Sequence, residues 1–197
     1  MNNILSRRRG MMGKTKEPNH LVYSLYNQTV EAGSNRISTG VKPLASDFNL
    51  TILLDITISS NPTSGVSRLW KLIHTWNDAL NGRGLVIGKY QASNTTLSVW
   101  WNNPTNTGIT GSSVSTGRHR IAVTHEAGSD DLKLYYKKDN GTLKTQTVTQ
   151  TFTASPNSVT YLGAGNNDDN SLPPGTINKA EIYDVILDSV AINTFFA

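Results

Sequence analysis

The stretch GRHRIAVTHEAGSDDLKLYYKKDNG, residues 117–141, is the part of the sequence that indicates the fold. Ile121 and Val123 occupy alternate positions, so they share one face of an extended strand. A second β-rich run follows at Leu132–Lys138, and the Asp-Asn-Gly sequence at 139–141 separates it from a third run. Asp-Asn-Gly between two such runs is a strong hairpin signal, because these residues suit tight turns. The stretch therefore predicts consecutive antiparallel strands.

The same unit, a short β-rich run and then a polar turn, repeats along the chain from Leu21 onward. Asn81-Gly82, Gly111-Ser112 and Pro173-Pro174-Gly175 are further turn signals. About eleven short runs without helical periodicity predict an antiparallel sandwich or barrel, with one last helical turn at Ser189–Phe196. The predicted runs are Leu21–Tyr26, Arg36–Val41, Phe48–Ile58, Val66–Thr75, Gly84–Tyr90, Thr96–Trp101, His119–Glu126, Leu132–Lys138, Leu143–Phe152, Ser158–Leu162 and Thr176–Leu187.

Composition supports this all-β prediction. In 197 residues, hydrophobic residues make up 37% and charged residues 16%, while Ser, Thr and Asn fill nearly a third of the chain. A helical bundle or coiled coil would need more Ala, Leu, Glu and Lys. The chain has no Cys, which excludes disulfides, thiolate zinc sites and cysteine nucleophiles. No apolar run is long enough for a membrane span.

The net charge of +4 is confined to residues 1–20, which we predict to be a basic N-terminal arm preceding a single domain at 21–197. The rest of the chain is neutral, which argues against specific nucleic-acid binding by the folded domain. Three roles remain open for the arm: charge-driven binding to nucleic acid or membrane, a solubility tail, or docking on a partner subunit. Its mixture of apolar and basic side chains favours docking. The predicted partner-binding residues are Ile4, Leu5, Arg7, Arg8, Arg9, Met11, Met12, Lys14 and Lys16.

Catalytic residue patterns are missing from the sequence. A glycosidase needs two carboxyl groups at a defined separation, yet the chain has only four Glu and no Glu-x-Asp-x-x-Glu pattern. No Gly-x-Ser-x-Gly nucleophile motif is present either. We therefore expect a protein that is not an enzyme. A glycoside hydrolase acting through Glu126 or Glu181 is the least favoured alternative.

Tryptophans at the ends of predicted strands are the main candidates for ligand binding. Sugars stack on aromatic rings, and neighbouring Asn and Asp side chains supply hydrogen bonds; binding loops commonly lie at strand ends. The alternative is that these rings fill the core, with Trp100 and Trp101 on opposite faces of one strand. The candidate carbohydrate-binding residues are Trp76, Asn77, Asp78, Trp100, Trp101, Asn102 and Asn103.

One loop is a candidate calcium site. Calcium takes six to eight oxygen ligands, and the segment 165–170 is rich in carboxylate and amide oxygens. Asp168, Asp169 and Asn170 are the candidate ligands, although the loop does not match the EF-hand pattern. An exposed turn is the favoured interpretation. No cofactor is expected apart from this candidate calcium ion.

Several motifs in order resemble concanavalin A-like, laminin-G-like jelly-roll domains. The resemblance covers residues 21–197 and implies an antiparallel β-sandwich of jelly-roll type. Because this fold serves lectins, glucanases and adhesion modules alike, it does not define the ligand. The motifs are the strand at 117–124, the Leu132–Tyr135 strand with its Asp-Asn-Gly hairpin, Tyr161-Leu162-Gly163, Thr176–Tyr183, Arg36–Val41 and Asp47–Thr51.

The arm sequence at 7–12 and the Thr-Gly-Val-Lys-Pro segment at 39–43 resemble phage and prophage proteins. This resemblance implies a virion structural or decoration protein, part of a larger assembly or oligomer. Its arm would anchor it to other virion subunits, and its outward lectin-like domain would adhere to glycans or a host surface. The alternative is a free carbohydrate-binding or adhesion module located outside the cell or at its surface.

Overall fold

The computed structural model describes residues 20–30, 37–41, 49–60, 70–76, 85–89, 97–101, 107–108, 112, 115–149, 159–162 and 174–197. These residues form twelve strands and one helix, in agreement with the predicted all-β class. The elements are β1 (Leu21–Val30), β2 (Ile37–Ser38), β3 (Leu50–Ile58), β4 (Trp70–Trp76), β5 (Leu85–Lys89), β6 (Leu97–Trp101), β7 (Thr107–Gly108), β8 (Gly117–His125), β9 (Asp131–Lys138), β10 (Lys144–Thr149), β11 (Val159–Leu162), β12 (Gly175–Tyr183) and α1 (Ser189–Phe196).

The strands form two six-stranded antiparallel sheets. Sheet A has the order β1-β12-β3-β8-β9-β10, and sheet B has the order β2-β11-β4-β5-β6-β7. In sheet A, the pairs β1–β12, β12–β3 and β3–β8 join strands that are far apart in sequence. Strands β8, β9 and β10 are consecutive and form a meander. The prediction missed β7, whose two residues Thr107 and Gly108 carry no alternation. It also stopped β1 at Tyr26, whereas the strand continues to Val30.

The hydrophobic core lies between the two sheets. Strand alternation puts Leu54 and Ile56 of β3, with Ile121 and Val123 of β8, on one face of sheet A. Leu97 of β6 and Leu162 of β11 enter the same buried cluster from sheet B. Both sheets therefore bury one face against the other, which is the predicted sandwich. Each buried aliphatic side chain stabilises the fold by roughly 1.5–3 kcal/mol.

Helix α1 packs on the opposite, outer face of sheet A. Ile192 and Phe196 pack with Leu53 and Ala122, which are the outward positions of β3 and β8. Asp188 caps the N-terminus of the helix, and its side chain accepts a hydrogen bond from Ala191 N at 2.8 Å. Its C-terminal carbonyls are held by two cations of the sheet, Lys137 Nζ on Phe196 O at 2.7 Å and Arg120 Nη1 on Ala197 O at 2.8 Å. These contacts fit the helix dipole, whose negative end attracts cations.

The predicted hairpin forms at residues 138–141 between β9 and β10. Gly141 N donates to Lys138 O at 2.9 Å, and Asp139 adopts a positive φ of 47°. The Asp139 carboxylate also accepts from the main-chain N–H of Arg118 at 2.8 Å. Gly117, where β8 begins, has a φ of +123°, which strains any residue with a side chain, and a Cβ there would lie 2.8 Å from that carboxylate oxygen and displace it.

Candidate functional site

Two tryptophan-bearing strands of sheet B end at the same edge of that sheet. Strands β4 and β6 run in the same direction, because each pairs antiparallel with β5. Their last residues are Trp76 and Trp101. Two strand spacings separate them, which is about 10 Å. The topology thus brings together two predicted binding segments that lie more than twenty residues apart in the sequence.

Aromatic residues also align in one row across sheet B. His74 pairs with Tyr161 on one side and with Val86 on the other, and Val86 pairs with Trp100. Directly paired residues in an antiparallel sheet share a face. We call Tyr161, His74 and Trp100 the aromatic row. Ser38 of β2 continues the row beyond Tyr161.

Strand alternation, counted from the buried residues Leu162 and Leu97, assigns positions 161 and 100 to the face of sheet B that is turned away from the core. Leu162 and Leu97 are both buried in the core between the sheets. Tyr161 is the neighbour of Leu162 in β11, so it takes the other face, and its side chain is half-buried. In β6, position 101 shares the face of Leu97, whereas position 100 takes the outer face.

Other predicted site residues fall in parts of the chain that the structure does not describe. Asn77, Asp78, Asn102 and Asn103 lie there, as do the arm residues and the candidate calcium ligands Asp168, Asp169 and Asn170. The backbones of His74, Trp76, Trp100 and Trp101 are described, but their side chains lie outside the described part. Sugar binding by these residues and calcium binding at 168–170 remain predictions.

A charged cluster that the sequence did not indicate lies on the outer face of sheet A. Its centre is Asp55 of β3, which is buried with an exposed fraction of 5%. Arg118 Nε donates to Asp55 Oδ1 at 2.9 Å, and Arg118 Nη2 donates to Asp55 Oδ2. Asn178 Nδ2 donates to Asp55 Oδ1 at 2.9 Å and to Thr57 Oγ1 at 2.9 Å. Charge-assisted pairs of this kind fix the planar groups that take part in them.

Glu181 of β12 forms the second half of this cluster. Its buried carboxylate accepts hydrogen bonds from Tyr26 Oη, from Tyr183 Oη at 2.7 Å and from Lys179 Nζ at 2.8 Å. Burial by itself would raise the pKa of Glu181. The hydrogen bonds from Lys179 and the two tyrosines outweigh burial and hold the pKa below its ordinary value. Burial, together with the hydrogen bond to the Glu181 carboxylate, raises the pKa of Tyr183.

These two carboxylates are arranged to hold cations and hydroxyl groups. Asp55 accepts from Arg118 and Asn178, while Glu181 accepts from three donors. A general acid of a glycosidase instead needs a raised pKa, so that it keeps its proton near neutral pH. Glu181 therefore lacks the environment of a general acid, and Glu126 is exposed in the turn after β8. Within the described ranges, no group of three His, Asp or Glu residues is close enough to hold a metal ion.

The two histidines of β8 are structural. His119 is buried, with Nδ1 3.1 Å from Tyr136 Oη and Nε2 2.7 Å from Ser115 O. Burial lowers its pKa below the ordinary value. His125 Nε2 lies 2.8 Å from Ser129 O. Each ring thus bonds the main chain next to its own strand end, and the two do not form a metal pair. No helix in the described part of the chain meets the length and hydropathy of a membrane span.

The overall fold is similar to that of carbohydrate-binding modules of sialidases. The CBM40 module of the Ruminococcus gnavus IT-sialidase, solved bound to α2,6-sialyllactose, matches with a TM-score of 0.63 and 13% identity, over 90% of this chain and 100% of that chain. The same module bound to α2,3-sialyllactose matches with a TM-score of 0.63 and 14% identity, over 88% of this chain and 97% of that chain. This similarity shows a lectin-type β-sandwich, in agreement with the jelly-roll prediction.

Complete sialidases match over a small part of their length. The leech intramolecular trans-sialidase aligns with 88% of this chain but only 27% of its own, at 16% identity and a TM-score of 0.60. Trypanosoma rangeli sialidase aligns with 76% of this chain and 22% of its own, at 21% identity and a TM-score of 0.52. No protein-family profile matches the sequence, and no curated protein matches it. At these identities the structural similarity establishes the fold alone.

Proposed function

We propose that this protein is a carbohydrate-binding module that binds glycans on the outer face of sheet B. The observation that carries the proposal is the strand register, which aligns the positions of Tyr161, His74 and Trp100 across four adjacent strands from β11 to β6, with Val86 of β5 between His74 and Trp100. Aromatic faces in a shallow sheet surface are suited to the apolar C–H faces of sugar rings, and polar groups beside them fix orientation. Trp76 at the end of β4 extends this surface toward the sheet edge.

The structural neighbours support a carbohydrate ligand. The Ruminococcus gnavus module carries sialyllactose, and it spans most of this chain with the same fold. Sialylated oligosaccharides are therefore the first ligands to test on this protein. We place its action outside the cell or at its surface, where such glycans are displayed. The virion role, the subunit partners and the anchoring function of the arm find no support among these neighbours and stay predictions.

Isothermal titration with 3′-sialyllactose, 6′-sialyllactose and lactose tests the proposal, after a glycan array has ranked the sugar classes. We expect saturable binding that Trp100→Ala weakens by at least about tenfold, because a stacked ring in a binding site contributes about 1–3 kcal/mol. Tyr161→Phe, which keeps the ring, retains most of the affinity, whereas Tyr161→Ala loses it.

The matched control is Thr145→Ala, at an exposed position of β10 in sheet A. This variant should bind like the unmodified protein. A blank glycan array, or equal binding by Trp100→Ala and Thr145→Ala, would contradict the proposal and would leave the arm as the remaining guide to function.

A further inference from the structure

We propose a second ligand site, on the outer face of sheet A, that binds the carboxylate of an acidic saccharide. It is formed by Arg118, Asn178, Lys179 and Tyr26, which we call the sheet A site. The site goes beyond the proposed function, because it lies on the opposite face of the sandwich from the aromatic row. Its residues come from three strands, β1, β8 and β12, and the buried carboxylates beneath them come from β3 and β12.

The first argument is that buried acids hold exposed cations in fixed orientations. Asp55 and Glu181 are 5% and 4% exposed, so their carboxylates are shielded from solvent. The side chains of Arg118 and Lys179, which they bind, are 51% and 34% exposed. A guanidinium held by a bidentate contact has already lost much of its rotamer freedom. Binding a ligand therefore costs less conformational entropy than binding to a free surface arginine.

The second argument concerns which groups are left to face a ligand. The oxygens of Asp55 and Glu181 already accept hydrogen bonds from inside the cluster. Among the described residues, Arg118 Nη1 makes no hydrogen bond, and Lys179 uses its ammonium on Glu181 alone apart from a ring contact with Phe195. Asn178 Nδ2 already donates to Asp55 and to Thr57, so the N–H donors that face a ligand are those of Arg118 and Lys179, and these require an acceptor such as a carboxylate. The carboxylate of Asp139, which accepts a hydrogen bond from the main-chain N–H of Arg118, lies beside the site.

The third argument is the exposed ring of Tyr26. Its hydroxyl is bound by Glu181, yet 51% of the residue remains exposed. Tyr26 pairs with Lys179, and Lys179 pairs with Asp55, so the ring lies two strands from the arginine contact, about 10 Å away. A simple anion would use Arg118 and Lys179 only. The ring beside them fits a ligand with an apolar sugar face, which favours an acidic saccharide over a free anion.

A ¹⁵N NMR titration of the full chain with D-glucuronate, D-glucose and acetate tests this site. We expect glucuronate to shift the Arg118 Nε–H, the Asn178 side-chain amide and the main-chain amides of Thr57 and Lys179 in a saturable way. Glucose should cause no shift there. Acetate should bind at least about tenfold more weakly, because it lacks the ring that contacts Tyr26.

Two variants sharpen the titration. Arg118→Lys keeps the charge but loses the planar fork, and it should weaken glucuronate at least about tenfold. Lys133→Ala removes an exposed cation from the same sheet face, and it should leave binding unchanged. If Arg118→Lys does not fold, Tyr26→Ser tests the ring contact instead, with a loss expected for glucuronate and none for acetate.

The result that overturns the site is the absence of saturable shifts at Arg118 and Asn178, or equal affinity for acetate and glucuronate. Trp100→Ala separates this site from the proposed function, since it should leave the sheet A shifts unchanged. Glucuronate shifts confined to sheet B would overturn the sheet A site and leave the proposed function standing. If the unmodified protein does not bind sialyllactose but glucuronate still causes the shifts on sheet A, the proposed function is overturned and the sheet A site stands.

Discussion

Sheet A and sheet B face each other across one core, yet they are built differently. In sheet A, strands β3, β8 and β12 each contain nine residues and pair along almost their full length, with a register shift between Ile177 and Lys179 of β12. In the described part of sheet B, β4 contains seven residues, and the edge strands β2 and β7 contain two each. Long ladders between distant segments contribute most of the cooperative stability. We infer that sheet A is the scaffold, while the proposed glycan-binding face lies on sheet B.

We expect the largest effect on stability from truncating one buried leucine in each sheet to alanine. Leu134 of β9 and Leu97 of β6 are each 0% exposed. Truncating a buried leucine to alanine costs about 2–5 kcal/mol, and less where neighbours relax into the cavity. We expect Leu134→Ala to cost about 4 kcal/mol and Leu97→Ala about 2 kcal/mol in urea unfolding. The reason is that Leu134 is paired on both sides, with Val123 and Gln146, whereas Leu97 is the first residue of β6 and pairs with Lys89. Equal costs would show that sheet B is packed as rigidly as sheet A.

Two glycines with positive φ give a second test. At Gly175, where β12 begins, a Cβ would lie 1.9 Å from Thr57 O, and φ is +155°. At Gly40, just after β2, φ is +70° and nothing lies within 4 Å of the Cβ position. Gly175→Ala should destabilise the protein by about 3 kcal/mol, and Gly40→Ala by about 1 kcal/mol from backbone strain alone. Thermal unfolding of both variants checks this, and a harmless Gly175→Ala would contradict the close approach of β12 to β3.

The smallest expected effect is a pH dependence of the stability of the fold, caused by His119 on the core-facing side of sheet A. Burial lowers the pKa of His119, so the unfolded chain takes up a proton at a higher pH than the folded protein does. Stability is therefore complete above the unfolded pKa of about 6.5 and is lost as pH falls through that value toward the folded pKa. We expect the melting temperature to fall on acidification below that pH, and His119→Gln to flatten this dependence.

Tyr136→Phe is the control for this prediction. It removes the hydroxyl 3.1 Å from His119 Nδ1 but leaves the ring buried. Since burial is the main cause of the lowered pKa, the pH dependence should persist in this variant. If Tyr136→Phe removed it, the hydrogen bond and not burial would control the titration of His119.

Local sequence predicted much of the scaffold. Alternation at Ile121 and Val123, the Asp-Asn-Gly hairpin and the C-terminal segment at Ser189–Phe196 all appear in the structure where they were expected. These features depend on residues close together in the chain. Strand β7 was missed for the same reason, because two residues of Thr and Gly have no periodicity to detect.

The sites were much less predictable. Asp55 contacts Arg118, which is 63 residues away, and Asn178, which is 123 residues away. In the sequence each of them is an ordinary polar residue of a strand. The aromatic row likewise joins Tyr161 to His74 through the pairing of β11 with β4. One signal was available in advance: Asp55 interrupts the apolar run at 52–56, and a charge inside such a run requires a partner.

The sequence by itself determined the all-β class, the hairpins, the terminal helix and the tryptophans at strand ends, because turn chemistry and alternation act over a few residues. Only the tertiary structure decided which strands became neighbours. That choice placed β4 and β6 in parallel orientation, so that their tryptophan ends share one edge. It also stacked Tyr26, Lys179 and Asp55 in one row across sheet A. Strand order depends on the burial of a common core by distant segments, and no local pattern records it.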